Sequence, residues 1–140
     1  MSARGKARKR AVDILYEAEI RGVDPVMTLQ QTQARLEQES SVSLNPLVEH
    51  LVRGVVAHQG QIDAVITRHS VGWSLDRMPA VDRAILRVGC FELLEDPDTP
   101  SAVVIAEAVK LASSLSTDES GAFVNGILAA IARQDVAPSA

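Results

Sequence analysis

The sequence predicts an all-α fold, a compact bundle of six or seven helices joined by short loops. Apolar residues recur three or four positions apart along nearly the whole chain of 140 residues, and they alternate nowhere for long. Asp-Pro at 24–25 and Asn-Pro at 45–46 are typical helix starts, with a capping side chain followed by proline in the first turn. A chain of this length buries roughly two-thirds of its unfolded surface in one core, which favours a single domain.

Three helices account for the first half of the chain. The first should end at Gly22, which readily adopts the left-handed conformation of a helix C-cap. The second starts at Asp24-Pro25 and the third at Asn45-Pro46. In the third helix the apolar residues keep the same helical spacing from 47 to 69, so we expect one long helix. Gly60 lies inside it, although glycine lowers helix stability by about 1 kcal/mol relative to alanine. The apolar stripe of the first helix consists of Ala7, Ala11, Ile14, Leu15 and Ala18.

The middle of the chain contains a break and then a fourth long helix. Gly72 should end the preceding helix, and Ser74 can cap a short turn that runs through Met78. Pro79 can then open a helix that continues to about Glu95.

Two further helices complete the predicted bundle. Residues 95–100 form a polar, proline-containing loop, after which Ser101 can cap a helix. Thr117 or Asp118 can start the last one. We therefore expect a single helical domain over 4–133 and a flexible tail over 134–140.

The net charge of −4 hides an uneven distribution. Residues 1–10 carry five cations and no acid, whereas the other 130 residues carry nine Lys or Arg against 18 Asp or Glu, a net −9. We call residues 1–10 the basic arm and expect it to be partly flexible. Arg and Lys suit a phosphodiester backbone, and arginine-rich segments often become ordered on RNA, although a solubilising tail is the alternative. The cations of the arm are Arg4, Lys6, Arg8, Lys9 and Arg10.

Several functional classes are disfavoured by composition. Cys90 is the single cysteine, so we expect no internal disulfide, no cysteine-based zinc site and a buried, unreactive thiol. The three histidines lack metal-ligand spacing, and no nucleotide-binding or nucleophile motif occurs. We therefore predict no metal, no cofactor and no enzymatic activity. The apolar runs are too short for a membrane span or a secretory signal, so a cytoplasmic protein without membrane contact is expected.

A second candidate site is the segment Phe123-Val124-Asn125-Gly126 near the start of the last helix. Its spacing favours Phe123 as a core residue, but the ring could instead stack on a base. Asn125 could hydrogen-bond a base edge.

Three blocks of the chain, in order, resemble the NusB family of bacterial transcription antitermination and ribosomal-RNA biogenesis factors. The first is Arg8-Lys9-Arg10-Ala11-Val12 leading into Leu15-Tyr16. The second is WSLDRM at 73–78 with VDRAILRVGCFELL at 81–94. The third comprises VVIAEAVKLA at 103–112 and SGAFVNGIL at 120–128.

The resemblance implies an all-helical protein of two packed sub-bundles without enzymatic activity. Members of the family pair with NusE, a small-subunit ribosomal protein that doubles as a transcription factor. They bind the boxA element of nascent ribosomal RNA, and the complex joins RNA polymerase and makes it resist termination.

The resemblance also assigns residues by position. It places the five cations of the arm, Phe123 and Asn125 on the RNA, and it places Tyr16 and Asp82 towards NusE. Arg83 and Arg87 could serve either partner or an internal ion pair. The family commonly has Lys or Arg before Phe-Val-Asn-Gly, whereas this chain has Ala122, so RNA binding is expected to be weaker or to depend more on the arm.

Two alternatives remain open at this stage. The chain could be a self-associating protein–protein scaffold whose basic arm only solubilises it. It could also form a homodimer that buries the RNA-binding face until partners compete, which is compatible with either function.

Overall fold

The computed structural model describes residues 2–136, which form six α-helices and one short 3-10 helix without any strand. The predicted all-α class is confirmed. The elements are α1 (Ala3–Arg21), α2 (Pro25–Ser40), α3 (Pro46–His69), the 3-10 turn (Leu75–Arg77), α4 (Ala80–Glu95), α5 (Ser101–Leu115) and α6 (Asp118–Gln134).

Side chains cap three of the long helices where local sequence predicted a start. Asp24 accepts a hydrogen bond from the Val26 amide at 2.8 Å, and Asn45 accepts one from the Leu47 amide at 2.9 Å. Thr117, one of two candidates for α6, accepts from the Ser120 amide at 3.0 Å. The predicted Ser101 cap is wrong, because Pro100 occupies that position and Ser101 is already helical.

Helix α3 is continuous through Gly60, as predicted, but it bends two residues earlier. His58 has non-helical backbone angles (φ −115°, ψ 16°). Its ring stacks on Phe91 of α4 with centroids 6.0 Å apart. The bend therefore lies where α3 packs against Phe91 of α4, and not at Gly60.

Helix α4 is the centre of the fold. It packs against α1 and α3 on one side and against α5 and α6 on the other, so the two predicted sub-bundles share this helix. Leu86 and Cys90 of α4 are fully buried between them. Because this core is tightly packed, it fixes the positions of the residues at both ends of α4.

Helices extend close to both ends of the described residues. Helix α1 begins at Ala3, with Ser2 accepting from the Gly5 amide at 3.0 Å, so the five cations of the basic arm lie within this helix. At the other end α6 includes Gln134, and Asp135 accepts from His69 Nε2 at 2.5 Å. This hydrogen bond holds Asp135, in the expected tail, against the end of α3. Met1 and residues 137–140 lie outside the described part of the chain.

Candidate nucleic-acid interface

Four cations of the basic arm are accessible at the amino-terminal end of α1. Arg4 and Lys6 are exposed, and Lys9 and Arg10 are half-buried. We call these four residues the cationic patch. The first turn of α1 carries no acidic residue, so the patch adds to the positive end of the helix dipole.

The patch borders two grooves of different character. Lys6 and Arg10, one helical turn apart, line a groove of about 370 Å³ whose other wall includes Leu36, Leu44 and Val48. Arg4 lines a second groove with three acidic residues at the end of α4 and in the segment that follows it, namely Glu95, Asp96 and Asp98. Anions are therefore attracted to the Lys6 and Arg10 side of α1 more than to the Arg4 side.

Arg8 has a different position from the one that the sequence predicted. It shares a face of α1 with the fully buried Val12, and only 4% of Arg8 is exposed. Its guanidinium makes a two-pronged ion pair with Glu92 of α4, with Nε–Oε1 at 2.7 Å and Nη2–Oε2 at 3.0 Å. The hydrogen bond to Glu92 raises the pKa of Arg8. Arg8 therefore joins α1 to α4 and is not available to an external phosphate.

The predicted residues of α6 form a second candidate surface. Asn125 is exposed, whereas Val124 between the two candidates is fully buried. Phe123 is half-buried and lies edge-on against Trp73, with ring centroids 5.2 Å apart and planes at 68°. Phe123 therefore lies between the two predicted environments: it packs against Trp73, and part of its surface remains accessible.

The two surfaces lie near opposite ends of α4. Arg8 contacts α4 at Glu92, whereas α6 contacts it at Asp82 through Ser120. Ten helical residues between those contacts span about 15 Å. The cationic patch and Phe123 are therefore two separate surfaces, attached near different ends of α4.

Of the two residues predicted to face a protein partner, one is at the surface. Tyr16 is 41% exposed on α1. Asp82 is fully buried, and its Oδ2 accepts a hydrogen bond from the Ser120 hydroxyl at 2.8 Å. Within residues 2–136 its Oδ1 has no hydrogen-bond partner. Asp82 therefore ties α4 to the start of α6 instead of facing outward, and any effect on a partner must be indirect.

Arg83 and Arg87 make internal ion pairs, one of the alternatives left open by the sequence. Arg83 bonds Glu19 of α1 at 2.6 Å and also donates to two backbone carbonyls beside the 3-10 turn. Arg87 bonds Asp63 of α3 at 2.9 Å. Both guanidinium groups are thereby committed to holding α1, α3 and α4 together.

Sequence reasoning gave no role to two exposed apolar residues. Ile20 is 62% exposed and lies one turn after Tyr16, and Trp73 is 40% exposed beside Phe123. Ile20 could have been found from its position off the buried stripe of α1. Trp73 and Phe123 meet only in the tertiary structure, so no local sequence pattern indicates their contact.

The described residues offer no conventional catalytic or metal centre. Among residues 2–136 no three His, Cys, Asp or Glu side chains are grouped to hold a metal ion. Cys90 is buried, as predicted, and burial raises its pKa to about 12, which disfavours the reactive thiolate. No helix of the described part is long and apolar enough to cross a membrane.

Comparison with known proteins identifies relatives along nearly the whole chain. The sequence model of the NusB family matches residues 5–133. The transcription antitermination protein NusB of Clavibacter michiganensis subsp. michiganensis (strain NCPPB 382) is 53% identical over 134 residues, covering 94% of this chain and 97% of that protein.

Solved structures show the same fold. T. maritima NusB superposes with a TM-score of 0.83 at 33% identity, covering 99% of this chain and 95% of that one. A chain from the crystal structure of the antitermination factors NusB and NusE in complex with dsRNA superposes with a TM-score of 0.78 at 30% identity, covering 95% of this chain and 98% of that one.

Proposed function

Because the chain belongs to the NusB family, and is therefore an antitermination factor rather than an enzyme, we propose that it binds boxA RNA together with NusE. On this proposal the RNA is the nascent ribosomal transcript. The bound complex joins RNA polymerase in the cytoplasm and supports processive transcription.

The observation that carries the RNA proposal is the cationic patch on an otherwise acidic protein. Lys6 and Arg10 line one groove and Lys9 lies on the same helical end, so their charges can contact successive phosphates. Lys9 also pairs with Asp13 at 2.9 Å, but the two side chains are 42% and 49% exposed, and such a solvated pair is weak enough to exchange for a phosphate. The acidic remainder of the chain repels phosphate and so concentrates the phosphate contacts at the cationic patch.

A related complex supports the choice of protein partner. The superposed NusB chain comes from a structure that contains NusE and dsRNA. We assign the NusE contact to Tyr16 and Ile20, which are both exposed and lie one turn apart on α1. An exposed aromatic beside an exposed aliphatic side chain is the kind of apolar surface that protein interfaces bury.

The test is a titration of labelled boxA RNA and scrambled RNA, at two salt concentrations, with and without NusE. A triple alanine variant of Lys6, Lys9 and Arg10 leaves the buried Arg8 intact. If all three contact phosphate, the slope of log K against log salt should fall by about two units on single-stranded RNA. The matched control removes the same charge from exposed cations at other sites. Its substitutions are Arg21→Ala, Lys110→Ala and Arg133→Ala.

The outcome separates this proposal from its rivals. Equal losses in the two triple variants would show a nonspecific effect of charge, and unchanged binding in both would favour the scaffold. Light scattering of free and RNA-bound protein tests the homodimer, which should dissociate on RNA if it covers the RNA-binding face.

A further inference from the structure

We propose that Trp73 and Phe123 together form a platform for one unpaired RNA base, at the end of α4 remote from the cationic patch. This inference rests on the proposed RNA-binding function and deepens it, because it names the chemistry read at the second surface. The ligand is the π-face of a nucleobase rather than a phosphate.

The geometry of the two rings is suited to that ligand. The edge-to-face arrangement turns the two ring planes 68° apart, at a centroid distance of 5.2 Å. A planar base that stacks on one ring then meets the other ring at its edge, a favourable arrangement for aromatic groups. Trp73 leaves 40% of its surface accessible, and Phe123 is half-buried behind it.

The local backbone holds Trp73 in place before any ligand arrives. Helix α3 ends at His69, and Gly72 follows with φ +81° in the left-handed region. The Ser70 hydroxyl donates a hydrogen bond to the Trp73 carbonyl, which closes this turn. Phe123 is fixed from the other side, because the adjacent Val124 is fully buried in the core. A platform that is already ordered loses little conformational entropy on binding.

Electrostatics favours a base over a phosphate at this surface. The first turn of α6 carries the exposed acids Asp118 and Glu119, which repel phosphate. Ala122 replaces the basic residue common at this position in the family. Arg77 of the 3-10 turn is the nearby cation along the chain, and Asp76 beside it offsets its charge. An uncharged base can approach the rings while its phosphate stays farther from these acids, so stacking at Trp73 can supply affinity that Ala122 does not.

The sequence provides its own probe, since Trp73 is the single tryptophan among 140 residues. Tryptophan fluorescence is followed while single-stranded boxA RNA is added, and the anisotropy of labelled RNA measures binding independently. Stacking should quench the fluorescence at the RNA concentration at which anisotropy rises. The same RNA annealed to its complement should bind without comparable quenching, because its bases are already stacked.

Substitution gives the second readout. Trp73→Leu should weaken single-stranded RNA binding by roughly 5- to 100-fold, the range typical of one base–aromatic stack. Trp73→Phe retains a ring and should recover most of that loss. Met27→Ala, at an apolar residue of α2 that is 53% exposed, is the control and should leave affinity unchanged. Circular dichroism melting of each variant establishes that the helices are intact.

The possible failures are distinguishable. If wild-type protein binds RNA by anisotropy while Trp73 fluorescence and the affinity of Trp73→Leu stay unchanged, the platform is refuted and the proposed function survives. Fluorescence that responds to NusE but not to RNA also refutes it, by showing that a protein covers the rings. Absence of boxA binding, with and without NusE, overturns the proposed function and the platform together.

Discussion

Replacing Arg8 by alanine should destabilise the fold strongly, although Arg8 lies among residues expected to bind RNA. Its guanidinium and the Glu92 carboxylate are 5% and 1% exposed and share two hydrogen bonds. Arg8→Ala leaves the carboxylate buried without its partner. Breaking a buried pair in this way costs about 3–5 kcal/mol, a large share of the 5–15 kcal/mol typical of a whole domain.

The assay is urea unfolding followed by circular dichroism. Lys9→Ala is the neighbouring control, because its ion pair with Asp13 is exposed and such pairs contribute about 0–1 kcal/mol. The double variant Arg8→Met with Glu92→Leu removes both charges and fills the space with apolar side chains. It should regain most of the stability lost in Arg8→Ala, since the loss arises mainly from the stranded carboxylate.

Affinity for RNA distinguishes a structural role of Arg8 from a direct contact between Arg8 and RNA. The folded double variant should bind boxA RNA about as tightly as wild type, because the cationic patch remains. If Arg8→Ala lost less than about 1 kcal/mol of stability while the double variant lost RNA binding, Arg8 would be a direct RNA contact and its structural assignment would be refuted.

Three further predictions concern the core around α4. Gly54→Ala would place a Cβ 2.1 Å from Cζ of Phe91, so it should lower the free energy of unfolding by about 1–3 kcal/mol in a denaturant titration. Cys90 should resist iodoacetamide at pH 8 in the folded protein and react in urea; rapid reaction of the native thiol would contradict its burial. Because burial raises its pKa from 9.0 to about 12, its contribution to stability is complete below pH 9 and falls as the pH rises towards 12. Asp82→Ala and Ser120→Ala each break the bond between α4 and α6, so both should lower the melting temperature and weaken NusE binding to a similar extent; a defect in Asp82→Ala alone would indicate direct contact.

Local sequence was sufficient for most of the fold. Asp24 and Asn45 cap helices through amides two residues away, and Gly22 ends α1 in the left-handed conformation with φ 67°. Such signals lie within one helical turn and can be interpreted without knowledge of the tertiary structure.

The candidate site was less predictable because its side chains are placed by distant partners. Arg8 and Glu92 are 84 residues apart, and Asp82 and Ser120 are 38 apart. A basic residue among other basic residues gives no local sign that it is buried. The environment of Phe123 likewise depends on Trp73, which reaches it only through the turn after α3.

Specific recognition of boxA is decided by the ratio of affinities for boxA and scrambled RNA, measured with wild-type protein and NusE at physiological salt. We expect boxA to bind more tightly than scrambled RNA, and the Lys6, Lys9 and Arg10 variant should bind both RNAs more weakly, because phosphate contacts carry no sequence information. Equal affinity for the two RNAs in the presence of NusE would contradict the account.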